Sequence, residues 1–222
     1  MSFFKSPAAP PEPPRRPVVP WDGPPANVLG AAVPVDLVIA SSEQAVVTVG
    51  ALTAYSTGFE FEYIVRVREE KFGELLPETH RWHRRVGDGE ELPDELFRFG
   101  IEFADGSRVT TLESRPPSDL AAEDARGPVM VPRGGGGSFE RWVGQWWVWP
   151  LPPGGLMAFV CEWPAAGIGL TCVEFDASRL REAATRARIL WEGDAAASPG
   201  AGYSVSQTVS RMMSFQPEPP AV

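Results

Sequence analysis

The chain has 222 residues, 43% of them hydrophobic and 10% aromatic, with a formal net charge of −9 and a pI near 4.8. That much apolar material excludes wholesale disorder, and the acidic balance argues against a nucleic-acid or anionic-membrane surface, since both draw on excess positive charge. Lys5 and Lys71 are the only lysines, so no GxxxxGK phosphate loop exists.

The chain opens with nine prolines between Pro7 and Pro25, a composition that favours solvated polyproline II and cannot pair in a sheet. Residues 1–25 are therefore expected to be a disordered arm. Within it, Pro11-x-x-Pro14-x-Arg16 overlaps Pro10-x-x-Pro13-x-Arg15, the general pattern of ligands for SH3-type domains, although a plain spacer has the same composition. Met1 to Pro10 lacks the apolar run of a secretion signal. The longest apolar stretches are broken by Asp36 or by Gly154 and Gly155 before they reach the length of a membrane span. A cytoplasmic protein with reduced thiols at Cys161 and Cys172 is expected.

Residues 33–40 and 45–54 read as a hairpin rich in β-branched residues around Ser41-Ser42-Glu43. Phe59, Phe61, Tyr63, Val65 and Val67 alternate with Glu60, Glu62, Ile64, Arg66 and Arg68, which is the period of a half-buried antiparallel strand. The stretch from Lys71 to Asp94 reads as a long excursion with Leu75, Leu76 and Trp82 as its large apolar groups. A second hairpin joins 97–103 to 108–112 through Asp105-Gly106, because glycine accepts the positive φ of a tight turn. Ser114 to Arg126 is another excursion. Strands follow at 129–131, 145–151, 156–163 and 170–175. One helix is expected after Asp176 or Ser178, with Leu180, Ala183, Ala184, Ala187, Leu190 and Trp191 as its apolar stripe and Gly193 as its stop. Beyond it, residues 193–222 read as a mostly disordered tail, with Val205, Val209, Met212, Met213 and Phe215 as a short apolar exception.

Five of the eight tryptophans, Trp142, Trp146, Trp147, Trp149 and Trp163, follow the glycine run Gly134–Gly137 within a short stretch. On the strand at 145–151, Trp147, Trp149 and Leu151 take one face and Trp146, Val148 and Pro150 the other. Both faces are apolar, so the one turned away from the core needs a cover, supplied by the proline-rich arm, by the C-terminal helix or by a partner. Arg133, Arg141, Trp146, Trp147 and Trp149 are accordingly the candidate contact residues. The glycines, Ser138 and the two arginines also have the composition of an amide nest for an anion, and exposed tryptophans suit a sugar face. A floppy glycine loop and ordinary packing are the plainer alternatives.

No catalytic constellation is legible. Ser138 lacks a Gly-x-Ser-x-Gly elbow. Glu78, His80 and His83 fall short of the three or four fixed ligands of a divalent-metal site. No cofactor is expected. Cys161 and Cys172 sit on adjacent predicted strands, where a disulfide is geometrically conceivable and free buried thiols are expected.

The segments Trp21-Asp22-Gly23-Pro24-Pro25-x-Asn27-Val28-Leu29-Gly30, Ala54-Tyr55-Ser56-Thr57-Gly58-Phe59-Glu60-Phe61, Trp147-Val148-Trp149-Pro150-Leu151-Pro152-Pro153 and Cys161-Glu162-Trp163-Pro164 resemble a group of uncharacterised bacterial cytosolic proteins. The resemblance spans most of residues 21–191, implies a stand-alone domain and transfers no site residues. The fold expected from the residues is a mainly β, antiparallel sandwich over 26–192, immunoglobulin-like or a related Greek key, with one C-terminal α-helix. The function expected is a non-enzymatic protein-interaction or assembly module, acting on a protein partner or on itself. The alternative is a carbohydrate or anion binder, or an enzyme, using the Gly, Arg and Trp residues of 133–149.

Overall fold

A computed structural model describes residues 19–68, 75, 91–113, 127–138 and 140–191. The strands are β1 (Val28–Leu29), β2 (Ala31–Val33), β3 (Leu37–Ser41), β4 (Ala45–Ala54), β5 (Phe59–Val67), β6 (Arg98–Glu102), β7 (Arg108–Thr110), β8 (Val129–Ser138), β9 (Arg141–Trp149), β10 (Leu156–Trp163), β11 (Ile168–Asp176) and β12 (Arg188–Ile189). An α-helix, α1, spans Ser178–Ala184. The fold is mainly β, and among the described residues every pairing is antiparallel.

One sheet runs β2-β4-β5-β9-β8 with β3 also on β4, a second runs β11-β10-β6-β7, and β1 pairs with β12 in a separate two-stranded sheet. After the β3–β4 hairpin, the paired strands β4–β5, β6–β7, β8–β9 and β10–β11 alternate between the two larger sheets, so the chain crosses the core between one pair and the next. The alternation read in β5 sets its faces: Phe59, Phe61, Tyr63, Val65 and Val67 are buried, while Arg66 is exposed. Phe61 meets Phe99 and Phe159 of the opposite sheet, each with ring centroids 5.7 Å away, and Tyr63 lies 5.0 Å from Phe99. These rings fill the space between the layers and anchor a common core.

In β4 the inward positions switch from Ala45, Val47 and Val49 to Leu52 and Ala54. The switch coincides with a register shift against β5 between Gly50 and Thr53, where Ala51 takes a positive φ of 48°. A bulge inserts one unpaired residue and so moves every later side chain to the other face.

Three expectations need correction. The arm does not extend to residue 25: Pro20–Asp22 forms a 3-10 turn, Trp21 is fully buried and Val19 is nearly so, because this segment covers apolar surface on the large sheet. The expected helix to Trp191 stops at Ala184. Neither Asp176 nor Ser178 caps it: the N-cap is Ala177, with no side-chain cap bond, and Asp176 Oδ1 accepts from the Ser178 amide at 2.9 Å in the preceding turn, while Leu180 and Ala183 are buried. Past Ala184 the backbone instead pairs with β1, and the Leu190 amide donates to the Asn27 carbonyl at 2.7 Å, so Leu190 and Trp191 are left exposed. Leu75 is buried in the main core, which ties at least one residue of the 71–94 excursion to the domain. The remaining tail, the rest of the arm and Ser114 to Arg126 lie outside the described residues.

Candidate functional site

β9 carries the tryptophans, with β5 on one side and β8 on the other. Trp146 and Val148 face the main core, where Trp146 stacks on Tyr63 with centroids 6.3 Å apart. Trp147 faces the opposite way and is fully buried too, in a second cluster with Val19, Trp21, Tyr55, Val129 and Val131. Its indole Nε1 donates to the Pro20 carbonyl at 3.1 Å, and Tyr55 meets it edge-on at 5.6 Å. Gly58 makes room for the ring: a Cβ there would sit 2.7 Å from Trp147 and press on the Val148 carbonyl. The outer face is therefore covered by the chain's own residues 19–23, and Trp146 and Trp147 are not surface contact residues. Trp149 alone of the three stays partly accessible, with Trp21 edge-on to it at 5.8 Å.

The glycine run is neither a loop nor a nest. Gly134–Gly137 are paired with β9 from Gln145 to Trp142, and the described glycines with positive φ are Gly106, Gly127, Gly155 and Gly167. A Cβ on Gly135 would meet the Val143 carbonyl at 2.8 Å and the Trp142 ring at 3.4 Å, so close packing explains that glycine. Arg141, opposite Ser138, is exposed, whereas Arg133 lies beyond Gly134 toward Pro132, with Gly134 opposite Gln145. Four or five strand positions separate the arginines, roughly 14–17 Å. They do not converge on an anion.

Arg133 instead holds the covering segment. Its Nη1 donates to the Asp22 carbonyl at 3.0 Å, its Nε lies 4.0 Å from Glu60 Oε1, and the guanidinium packs against Gly23. Glu60 also accepts from Tyr55 Oη at 2.9 Å. Burial first, then the Glu60 charge, raises the Tyr55 hydroxyl well above its ordinary pKa. Arg133→Ala is expected to cost about 1–3 kcal/mol, the range for removing a charged hydrogen-bond partner from a part-buried acceptor. Urea denaturation checks this, and an unchanged midpoint contradicts the role.

A concave surface among the described residues lies where β9 leaves the large sheet. A cleft of about 270 Å³ is lined by Phe103, Asp105 and Ser107 from the β6–β7 turn, Gly127 and Pro128 before β8, and Trp149, Pro150, Pro152 and Pro153. The turn forms as its Asp-Gly pair predicts, with Gly106 at φ 82°. Asp105 Oδ1 accepts from the Ser107 amide at 2.9 Å and its hydroxyl at 2.6 Å, and these bonds hold the carboxyl below its usual pKa. The result is an apolar groove of one indole and several proline rings beside one fixed carboxylate. Of the expected site residues only Trp149 belongs to it. The proline run after Trp149 is the signal in the sequence that points to it.

Glu78, His80 and His83 lie outside the described residues. Cys161 and Cys172 are free thiols. Cys161 pairs with Thr171 and Cys172 with Val160, so adjacent register positions turn them to opposite faces. Cys161 is buried as expected, but Cys172 is exposed. Burial, with a smaller push from Glu162, raises the Cys161 thiol to about 12. An Ellman titration of the folded chain at mildly alkaline pH is expected to find one fast thiol, Cys172, with the second released only on unfolding. Two fast thiols would contradict the burial. The sign of the shift also predicts lost stability as pH climbs from the ordinary thiol value towards 12, because the unfolded chain releases this proton first.

Among the described residues no helix is long and apolar enough to cross a membrane. No family model, curated protein or solved structure matches the chain.

Proposed function

We propose that the protein is a non-enzymatic protein-interaction module whose recognition surface is the cleft at Trp149, taking an extended peptide. The observation that carries this reading is the contrast within β9: Trp146 and Trp147 are consumed by packing, while Trp149 keeps part of its ring on an open groove with Pro150, Pro152 and Pro153. Aromatic-lined grooves of this kind take peptides in the polyproline II form, whose low conformational entropy reduces the cost of binding. Leu29, Ile189, Leu190 and Trp191 are also exposed, at the β1–β12 pair, and give self-assembly a second apolar surface. A reducing cytoplasm fits the two free thiols.

A sugar is the competing ligand class, because a half-buried indole beside Asp105 and Ser107 also suits a pyranose face. Titrating the full chain with proline-rich peptides and with a panel of oligosaccharides, read at the Trp149 indole NMR signal, separates the two. Saturable shifts with peptides alone are expected. Saturation by a sugar alone would reassign the site, and silence from both would remove it.

A further inference from the structure

The covering segment lies beside the cleft. Asp22 and Gly23 rest on Arg133, and Pro20 receives the Trp147 indole. Trp21 reaches on to Trp149, which lines the cleft. β9 runs from Arg141 to Trp149, so the cleft lies at its C-terminal end, where Trp21 of the covering segment meets it. Residues 10–18 precede this segment, and in polyproline II they span roughly 28 Å, enough to cross a groove beside Trp149.

The chemistry of the two parts is matched. The cleft offers an indole, proline rings and, as its charged lining group, the Asp105 carboxylate. The arm offers Pro10-Pro11-Glu12-Pro13-Pro14 followed at once by Arg15-Arg16. Guanidinium pairs with carboxylate by charge-assisted hydrogen bonds, and proline rings stack on indole with little entropy to lose.

We propose that the cleft at Trp149 is a polyproline site selective for an arginine-flanked segment, and that its resident ligand is the chain's own Pro10–Arg16. This rests on the peptide-binding reading above and supplies both its ligand class and its regulation: an external ligand of the same type must displace the arm. Tethering sets the arm's effective concentration in the millimolar range for a short linker, so the competition is strong even when intrinsic affinity is weak.

The test uses the full chain and a synthetic peptide of residues 7–17, with binding read at the Trp149 indole signal. Wild type is compared with Pro11→Ala/Pro14→Ala, which alters the arm alone. The arm variant is expected to bind the peptide about tenfold more tightly, as the tethered competitor is lost. Adding Asp105→Asn to the arm variant is expected to weaken peptide binding several-fold, since it removes the charge and keeps an acceptor for Ser107. Equal affinity of wild type and arm variant overturns the resident-ligand proposal while leaving the peptide-binding reading intact. Binding unaffected by Asp105→Asn overturns the selectivity for arginine. Absence of binding to both proteins overturns the proposal together with the reading on which it rests.

Discussion

Trp21→Ala is expected to destabilise the domain by about 3–5 kcal/mol, the cost of truncating a large buried aromatic. Trp21 is fully buried although composition places it in the arm, and its ring meets Trp149 edge-on at 5.8 Å. Its removal leaves a cavity against Trp147, Tyr55 and Val131 and loosens the only described cover of that face. Such a loss is a large fraction of an ordinary domain's net stability. Urea denaturation of the variant checks it. A loss below about 1 kcal/mol would mean that the site collapses onto the gap or that the segment rests loosely on the sheet.

Phe61→Ala is expected to cost a similar 3–5 kcal/mol for a different reason. Phe61 projects from β5 between Phe99 and Phe159, which belong to β6 and β10 of the other sheet. Removing it takes contacts from both layers at once, so a single cooperative transition should shift as a whole. Ile64→Ala, on the half-buried outer side of the same strand, serves as the comparison and should cost clearly less. Similar losses from the two changes would contradict a core shared between the sheets.

Much of this architecture is legible because it depends on local patterning. The Phe59–Val67 alternation and the Asp105-Gly106 turn each state their structure within a few residues, and the structure follows both. What is not legible depends on distance. Two apolar faces on β9 require a cover, but nothing local to Trp147 names Pro20, 127 positions earlier, as the residue that meets it. The same limit explains the helix: the stripe from Leu180 to Trp191 has helical spacing, yet Arg188 and Ile189 pair with β1 near the start of the chain. Glycines 134–137 mislead in the opposite direction. Their low strand propensity suggests a loop, whereas the neighbouring strand leaves no room for a Cβ at Gly135. The cleft is hidden for a third reason, since it assembles from three segments far apart in the chain, of which only the proline run after Trp149 carries a signal of its own.

The outer face of β9 at Trp147 is sealed by the chain itself, which leaves Trp149 as the accessible indole among Trp146, Trp147 and Trp149. Hydrogen exchange of the Trp147 indole Nε1–H, followed by NMR on the full chain, tests this directly, because that proton donates to the Pro20 carbonyl. The predicted result is exchange only through opening of the covering segment or of the whole domain, far slower than for Trp191, which is 59% exposed. Exchange of Trp147 as fast as that of Trp191 would contradict the account.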